Sequence, residues 1–249
     1  MRRNWTIAAA VALALPLLST GTAHAAIVTY SGQDDGASTS GPWPLSTAAQ
    51  ASFEAAGLGY GSLTTQTYEG ATVGFYSPIV LPGVTITLTG TDLGNGLSGI
   101  SNTTGGSLDG FNVTPGGSQF LGMSLDTATF TFSSPTNSFG TWMTGLQTYY
   151  SGTDGVEITF NDGSSELLEP PINVNGGAQY FGFTDTSAFT SVTITNTGND
   201  GYYDYWGIDD TTFNTSAVTA VPEPTTLALF GSVLAGLALA RRRRGMQSK

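Results

Sequence analysis

The groups that could carry chemistry in the central part of this chain are limited to oxygen atoms. Between Ala26 and Val221 there is no Lys, Arg, His or Cys, whereas all of the 18 acidic residues except Glu223 lie there. This composition excludes a Ser/His/Asp triad, a thiolate nucleophile, a Schiff-base lysine and a histidine zinc site. One enzymatic alternative is left, a glycoside hydrolase that uses two carboxylates as acid and base or nucleophile. No motif singles out such a pair, so we predict that the chain is not an enzyme.

The charge of this central region also limits its partners. A surface with many carboxylates and no cationic side chain repels phosphate backbones, which excludes nucleic acid. The same surface attracts divalent cations and cationic polymers. Because the chain has no Cys, disulfides do not stabilise it, and the fold depends on its hydrophobic core.

Aromatic side chains are concentrated in one segment near the end of the central region. Asn199, Asp200 and Asp204 lie among them, and the aromatic residues themselves are Tyr202, Tyr203, Tyr205 and Trp206. Flat aromatic faces stack on sugar rings while carboxylates and amides bind the hydroxyls, so this segment is a candidate glycan-binding site. The alternative is that Trp206 belongs to the core and the tyrosines cover an edge of the fold.

The elements that must position these groups are short strands. Runs rich in Val, Ile, Thr, Phe and Tyr alternate with Gly-rich and Asn-rich turns over residues 26–216, a length that suits one domain. The pattern predicts an all-β fold, an antiparallel two-sheet β-sandwich. Over residues 84–89 and 192–195 the apolar side chains are expected to face the core and the threonines to face solvent.

One segment breaks the strand pattern. Over residues 46–56, the spacing of Ala49 and Phe53 predicts a short helix with one apolar face. Ser46 is the expected N-cap and Gly57 the expected stop. We expect Phe53 to pack across one end of the sandwich.

The N-terminus has the features of a secretory signal peptide. Arg2 and Arg3 give a basic start, an apolar run covers residues 7–18, and Ala23-His24-Ala25 supplies a small-x-small cleavage pattern. The apolar run is too short for a permanent membrane anchor. We predict a signal peptide over residues 1–25 and a mature protein that begins near Ala26.

The C-terminus has the features of a membrane anchor. No residue of 225–240 is charged, and as a helix this segment would span roughly 24 Å, just short of a hydrocarbon core. The residues that follow favour the cytoplasm because they are all cationic: Arg241, Arg242, Arg243 and Arg244. We predict a transmembrane helix over residues 225–240, a cytoplasmic basic tail over 241–249, and an exported region before them.

A rigid motif stands directly in front of this span. Residues 217–224 form a linker in which each proline fixes its own φ and keeps the preceding residue out of a helix, and it ends in Val221, Pro222, Glu223 and Pro224. The linker, apolar span and arginines together resemble the PEP-CTERM sorting signal of exopolysaccharide-producing Gram-negative bacteria. The resemblance implies a partner, the membrane transpeptidase exosortase, and delivery to the cell surface or extracellular matrix.

The central region resembles the exported domain that is common in PEP-CTERM proteins. The similar segments include YEG at 68–70, FTFSSP at 130–135 and GIDD at 207–210. Such domains are likened to jelly-roll carbohydrate-binding modules. The resemblance therefore implies a sandwich of that kind and an association with exopolysaccharide.

The same resemblance implies a calcium site. Some of these carbohydrate-binding sandwiches hold a structural calcium between a Glu of an early strand and an Asp of the last strand, which correspond to Glu69 and to Asp209 or Asp210. Ca²⁺ prefers oxygen ligands, and carboxylates that approach each other without a cation need a metal or a raised pKa. The alternative is that Asp209 and Asp210 only flank the last strand, where one of them accepts hydrogen bonds from backbone amides.

The predicted function is that of a secreted surface or matrix protein, a structural or glycan-associating β-sandwich whose precursor is anchored in the membrane. A carboxylate-only glycoside hydrolase is one alternative. The other is a simple C-terminally anchored inner-membrane protein, which localisation of the native product would distinguish.

Overall fold

A computed structural model describes residues 27–90, 98–124, 126–147, 155–160, 163–171, 173–196 and 204–215. The predicted signal peptide, linker, transmembrane helix and basic tail lie outside the described residues. Within the described part, no helix has the length and the apolar character needed to cross a bilayer. The elements, in chain order, are β1 (Val28–Asp35), α1 (Pro44–Gly57), a 3-10 turn (Leu58–Tyr60), β2 (Leu63–Gln66), β3 (Ile79–Leu81), β4 (Val84–Gly90), β5 (Gly99–Ser101), β6 (Phe120–Met123), β7 (Asp126–Thr144), β8 (Gly155–Phe160), β9 (Ser165–Leu168), β10 (Gly177–Thr195) and β11 (Trp206–Asn214).

The strands form one antiparallel sheet. Hydrogen bonds connect all 11 strands that lie in the described residues, because β7 and β10 are 19 residues long and pair with different neighbours along their length. The first half of the sheet has the order β3-β4-β7-β10-β8-β9 and uses residues 126–132 of β7. The second half has β1, β10, β7 and β11 side by side, with β2 and β6 on the far side of β11. The prediction of an antiparallel all-β fold with one short helix is confirmed, and hydrogen bonding joins its strands into one sheet.

The two halves share a core because the long strands bend. Phe130 and Phe139 belong to the same strand, yet their ring centroids are only 5.4 Å apart. Nine residues of straight strand would separate them by roughly 30 Å, so β7 folds back between them. In β10, register shifts lie between Thr184 and Ser191, and the rings of Phe183 and Phe189 are 5.1 Å apart. Residues of both halves therefore meet in the main hydrophobic cluster.

Asn214 fixes the place where β7 bends. Its buried Oδ1 accepts hydrogen bonds from the Thr136 hydroxyl at 2.5 Å and from the Ser138 hydroxyl at 2.8 Å. The backbone N–H groups of Asn137 and Ser138 donate to the same oxygen at 2.8 and 2.9 Å. One amide at the end of β11 thus satisfies donors that a bent strand leaves without ladder partners.

A second hydrophobic cluster lies beneath α1, on the outer face of the second half of the sheet. Phe53 packs there against Tyr180 and Tyr30, with ring centroids 5.8 and 6.1 Å away. The ring comes this close to the sheet because Gly140 and Gly182 have no Cβ that would collide with it. The expectation that Phe53 covers one end of the fold was wrong, since it covers a face.

Helix α1 begins at Pro44, two residues before the predicted Ser46. Pro is favoured at the first helical position because its missing N–H needs no partner there. Ser46 is therefore not the N-cap, and the cap comes from β1 instead. Asp34 accepts hydrogen bonds from the Ser46 N–H at 2.8 Å, from the Ser46 hydroxyl at 2.6 Å and from the Leu45 N–H at 3.2 Å.

Candidate functional site

The three predicted metal-binding carboxylates do lie near one another. Glu69 follows β2, Asp209 and Asp210 belong to β11, and the connection between β5 and β6 runs across them. Asn112 in that connection donates its Nδ2 hydrogens to Glu69 Oε1 at 3.0 Å and to Asp209 Oδ2 at 3.1 Å. One side-chain amide therefore joins the early acidic residue to the late one, as the resemblance implied they would be placed.

Asp209 anchors residues 112–114 of this connection. It is fully buried, and its Oδ2 accepts hydrogen bonds from the backbone N–H groups of Val113 at 2.7 Å and Thr114 at 3.3 Å. Its other oxygen, Oδ1, accepts from the N–H of Asp210 at 2.8 Å. Both oxygens of Asp209 are thus occupied by backbone amides, which is the alternative that the sequence had left open for one of the two aspartates.

Glu69 anchors the other end of the same connection. Its Oε1 accepts hydrogen bonds from the backbone N–H groups of Ser118 at 2.7 Å and Gln119 at 2.8 Å. Asp210 instead accepts from the hydroxyl of Thr114 at 2.5 Å, through Oδ1. The two aspartates therefore both hold Thr114 near the start of this connection, and Glu69 holds its end at Ser118 and Gln119.

Burial, and then repulsion from neighbouring carboxylates, raise the pKa values of the two aspartates. Burial, and then the charge of Asp210, raise the pKa of Asp209 to about 8, although hydrogen bonds from backbone N–H groups oppose the shift. Burial also raises the pKa of Asp210, with smaller contributions from the charges of Glu69 and Glu54 and an opposing one from the Thr114 hydroxyl. The repulsion is uncompensated because the sequence from Ala26 to Val221 has no cationic side chain.

The backbone is strained next to these carboxylates. Tyr68 and Asp210 have φ values of 63° and 45°, a region that non-glycine residues rarely adopt. Asp210 lies where the pairing of β11 with β7 shifts register, between Asp209 and Thr212. Tyr68 is held by its hydroxyl, which is 2.7 Å from the Thr211 hydroxyl. Such strain persists only where the surroundings impose it, and it often marks a functional position.

The fit of this arrangement to calcium is partial. Hydrogen bonds from the described residues end on Glu69 Oε1 and Asp210 Oδ1, which leaves Glu69 Oε2 and Asp210 Oδ2 for a cation. Ca²⁺ takes about six to eight oxygen ligands, so water or carbonyl oxygens would have to supply the others. Across the described ranges, no group of three or more His, Cys, Asp or Glu side chains is arranged to hold a metal ion.

The predicted glycan-binding segment is described only in part. Trp206 lies in the core with 0% of its surface exposed, which is the alternative kept open for it, so it has no free face for a sugar. Tyr205 is half-buried, its hydroxyl lies against Gly122, and burial raises its pKa. Tyr202 and Tyr203 lie outside the described residues.

The comparisons with known proteins concern the C-terminus. Residues 220–244 match a family model described as the PEP-CTERM protein-sorting motif. The chain carries a PEP-CTERM motif. The match contains the whole predicted sorting signal, from Val221 through Arg244, and it supports export and sorting to the cell surface by way of exosortase. No curated protein and no solved structure matches the chain.

The central residue of the site was missed by the sequence analysis. Asn112 lies 43 positions from Glu69 and 97 positions from Asp209, so no local pattern indicates that it joins them. The aromatic packing around Trp43 was missed for the same reason. Its ring stacks on Phe111 at 6.0 Å and meets Trp142 edge-on at 5.7 Å, although all three are far apart in sequence.

Proposed function

We propose that this chain is an acidic β-domain that its PEP-CTERM motif delivers to the cell surface or the exopolysaccharide matrix, where it acts as a structural or glycan-associating component and not as an enzyme. The sorting motif at residues 220–244 is the observation that carries the proposal. The composition of the region before it supports a binding or structural role, because that region has only carboxylate, hydroxyl and amide groups to offer.

The bent sheet supports a finer description of the domain. Its two halves share one core, as two layers of a jelly-roll sandwich do. We infer from this a likeness to carbohydrate-binding modules. The expected ligand is a polysaccharide of the matrix, since a domain with many carboxylates and no cationic side chain has no electrostatic attraction for an anionic partner.

Delivery can be tested on the sorting signal itself. The proposal includes a signal peptide over residues 1–25, an apolar helix over 225–240 and recognition of both by the export machinery. Replacing Glu223 with Gln, or replacing Arg241 to Arg244 with Ser, should leave the chain in the inner membrane. The matched variant Glu166→Gln, on exposed strand β9, should still reach the surface. Normal surface arrival of the Glu223 variant would mean that this motif does not sort the chain.

Calcium is proposed as a structural cofactor held by Glu69 and Asp210, with Asp209 orienting the loop beside them. Burial raises the pKa of Asp210 most, and a calcium ion would relieve the smaller contribution, which comes from the charges of Glu69 and Glu54. Ca²⁺ that binds only the folded chain stabilises it by mass action. Added calcium should therefore raise the melting temperature. The change Glu69→Gln keeps an oxygen for the loop amides but removes the charge, so it should abolish most of this rise, whereas Glu166→Gln should not. An identical melting temperature with calcium and with chelator would end the calcium proposal.

Glycan association and hydrolysis can be separated in one experiment. The purified chain is incubated with the exopolysaccharide of the producing cells, and both sedimentation of the chain and release of reducing sugars are measured. Sedimentation without sugar release is expected, and replacing Tyr202 and Tyr203 with Ala should weaken it. The change Phe75→Ala removes another exposed aromatic ring and serves as the control. Steady sugar release would favour the carboxylate-only glycoside hydrolase.

A further inference from the structure

The outer face of the first half of the sheet carries a regular array of hydroxyl side chains. Three neighbouring strands, β4, β7 and β10, each contribute every second residue over five positions. The pairing is in register, so that the side chains form rows across the strands. The rows are Thr85, Thr131 and Ser191; Thr87, Thr129 and Thr193; Thr89, Thr127 and Thr195. We call these nine side chains the threonine array.

The threonine array points away from the core. The residues between its members, such as Ile86, Phe130 and Val192, are fully buried, and successive side chains of a strand point to opposite faces. Every member of the array is half-buried or exposed. The array contains no charged and no aromatic side chain. Beside it on β8, Glu157 pairs with Thr193 and Thr159 pairs with Ser191.

The array has fixed spacings in two directions. Neighbouring strands lie about 4.8 Å apart, and alternate residues of one strand lie about 6.7 Å apart. Thr side chains are stiff at χ1 because they are branched at Cβ. Hydrogen bonds between hydroxyls hold them further, at 3.1 Å between Thr129 and Thr193 and at 3.3 Å between Thr127 and Thr195. The methyl and hydroxyl groups are thus in place before a partner arrives, which lowers the cost of binding.

These properties favour a partner that is itself a repeating, uncharged lattice. A single sugar is usually recognised by aromatic stacking together with charged or amide groups, and the array has neither. A regular grid of hydroxyl and methyl groups instead matches a surface whose own atoms repeat at similar distances. The prism faces of hexagonal ice are such a surface. We propose that the threonine array binds ice. This function goes beyond surface delivery and does not depend on the calcium or glycan proposals.

The twist of the sheet sets the expected kind of activity. Neighbouring strands are rotated by roughly 20–25°, so only a few strands can meet a flat lattice at once. The array is three strands wide, which keeps the contact small. We therefore expect adsorption to ice and inhibition of ice recrystallisation more than a large depression of the freezing point.

The test uses the purified full chain in dilute non-ionic detergent, with detergent buffer alone as the blank. Ice grains held just below the melting point should stay small with the chain, and fluorescently labelled chain should coat the prism faces of a single ice crystal. The change Thr129→Tyr places a large ring at the centre of the array and should raise the concentration needed by about tenfold or more. The change Thr29→Tyr puts the same ring on an exposed Thr of β1, outside the array, and should have no effect.

Melting curves of both variants establish that they are folded before the ice assays are compared. Grain growth equal to that of the detergent blank would overturn the proposal. It would also be overturned if folded Thr129→Tyr inhibited growth as well as Thr29→Tyr does. Sedimentation with insoluble exopolysaccharide that Thr129→Tyr abolishes, without adsorption to ice, would assign the array to the polysaccharide instead.

Discussion

Strands β7 and β10 run through both halves of the sheet, yet the two halves present different outer faces. In the first half the strands alternate strictly between core residues and the half-buried or exposed side chains of the threonine array. In the second half, α1 and the connection between β5 and β6 cover the outer face, and β11 shifts register beside the strained Asp210. A strict two-residue repeat thus gives an open and uniform surface. A covered face needs irregular features. Here these are glycines that leave room for the Phe53 ring, a register shift in β11, and polar side chains that bind the covering loop.

The largest difference between the halves should appear at the bend that separates them. Replacing Asn214 with Ala removes the acceptor of four buried hydrogen bonds and should lower the free energy of unfolding by about 3 kcal/mol or more. The control Asn175→Ala removes an exposed hydrogen bond to Asp35 and should cost less than about 1 kcal/mol. Denaturant titrations measure both. Equal, small effects would show that Asn214 does not hold the bend.

The attachment of α1 to the second half is the next largest effect. The change Asp34→Ala removes the carboxylate that caps the helix from β1, and its loss should cost about 1–2 kcal/mol. The neighbouring change Asp35→Ala leaves the cap intact and should cost less than half as much. The midpoints of denaturant unfolding report the difference. If the two variants unfolded at the same midpoint, the Asp34 cap would not stabilise the attachment of α1 to the sheet.

The buried carboxylates should give the second half an unusual pH dependence. The pKa of Asp209 is raised from 3.8 to about 8 in the folded chain, so the folded state takes up a proton more readily than the unfolded state does. This contribution to stability is fully present below about pH 4 and is lost as the pH rises towards 8. In the presence of chelator, the melting temperature should therefore fall between these two pH values.

The control for this pH effect is Asp209→Asn, which has no proton to lose. Its melting temperature should depend less on pH over the same interval, although its amide cannot accept every hydrogen bond that the carboxylate accepts. A wild-type melting temperature that rises with pH would contradict the shifted pKa of Asp209.

The smallest effect should come from a substitution in the threonine array, compared with one at a buried position of the second half. The change Thr193→Val, in the threonine array, removes a half-exposed hydroxyl and should alter stability by less than about 0.5 kcal/mol. The change Thr141→Val, in the second half, removes a buried hydroxyl that donates to the Asp209 carbonyl at 2.9 Å. It should cost about 1–2 kcal/mol because this buried hydrogen bond to the Asp209 carbonyl is lost. Equal costs in the two variants would remove the distinction between an open and a covered face.

The open half of the sheet was easier to predict than the covered half. The alternation of apolar residues and threonines over residues 84–89 and 192–195 predicted both the strands and the outward direction of the threonines. In an antiparallel strand, the sequence of the strand itself is enough to show which side chains face the core. The helix was predicted from the spacing of Ala49 and Phe53, with its start two residues late because Asp34, and not Ser46, supplies the cap. The bend in β7 was not predicted, since the amide that stabilises it belongs to Asn214, far along the chain.

The candidate site shows the same limit. Glu69, Asp209 and Asp210 were named only through a resemblance to carbohydrate-binding sandwiches, and the structure does bring them together. Their use as loop anchors could not be derived from sequence, because Asn112 and the amides of Val113 and Ser118 reach them only after the strands have paired. Trp206 was a candidate sugar-binding residue because it lies in a run of aromatic residues. In the structure it faces the core, on the same side of β11 as Ile208.

Locating the chain in cells that produce it tests the central claim most directly. Intact cells, with the sorting enzyme present or deleted, are treated with protease and fractionated, and the chain is followed with an antibody against residues 27–215. Sorting by the motif at residues 220–244 predicts chain on the surface or in the matrix when the enzyme is present, and chain retained in the inner membrane when it is absent. An unprocessed chain that stays in the cytosol in both strains would contradict it.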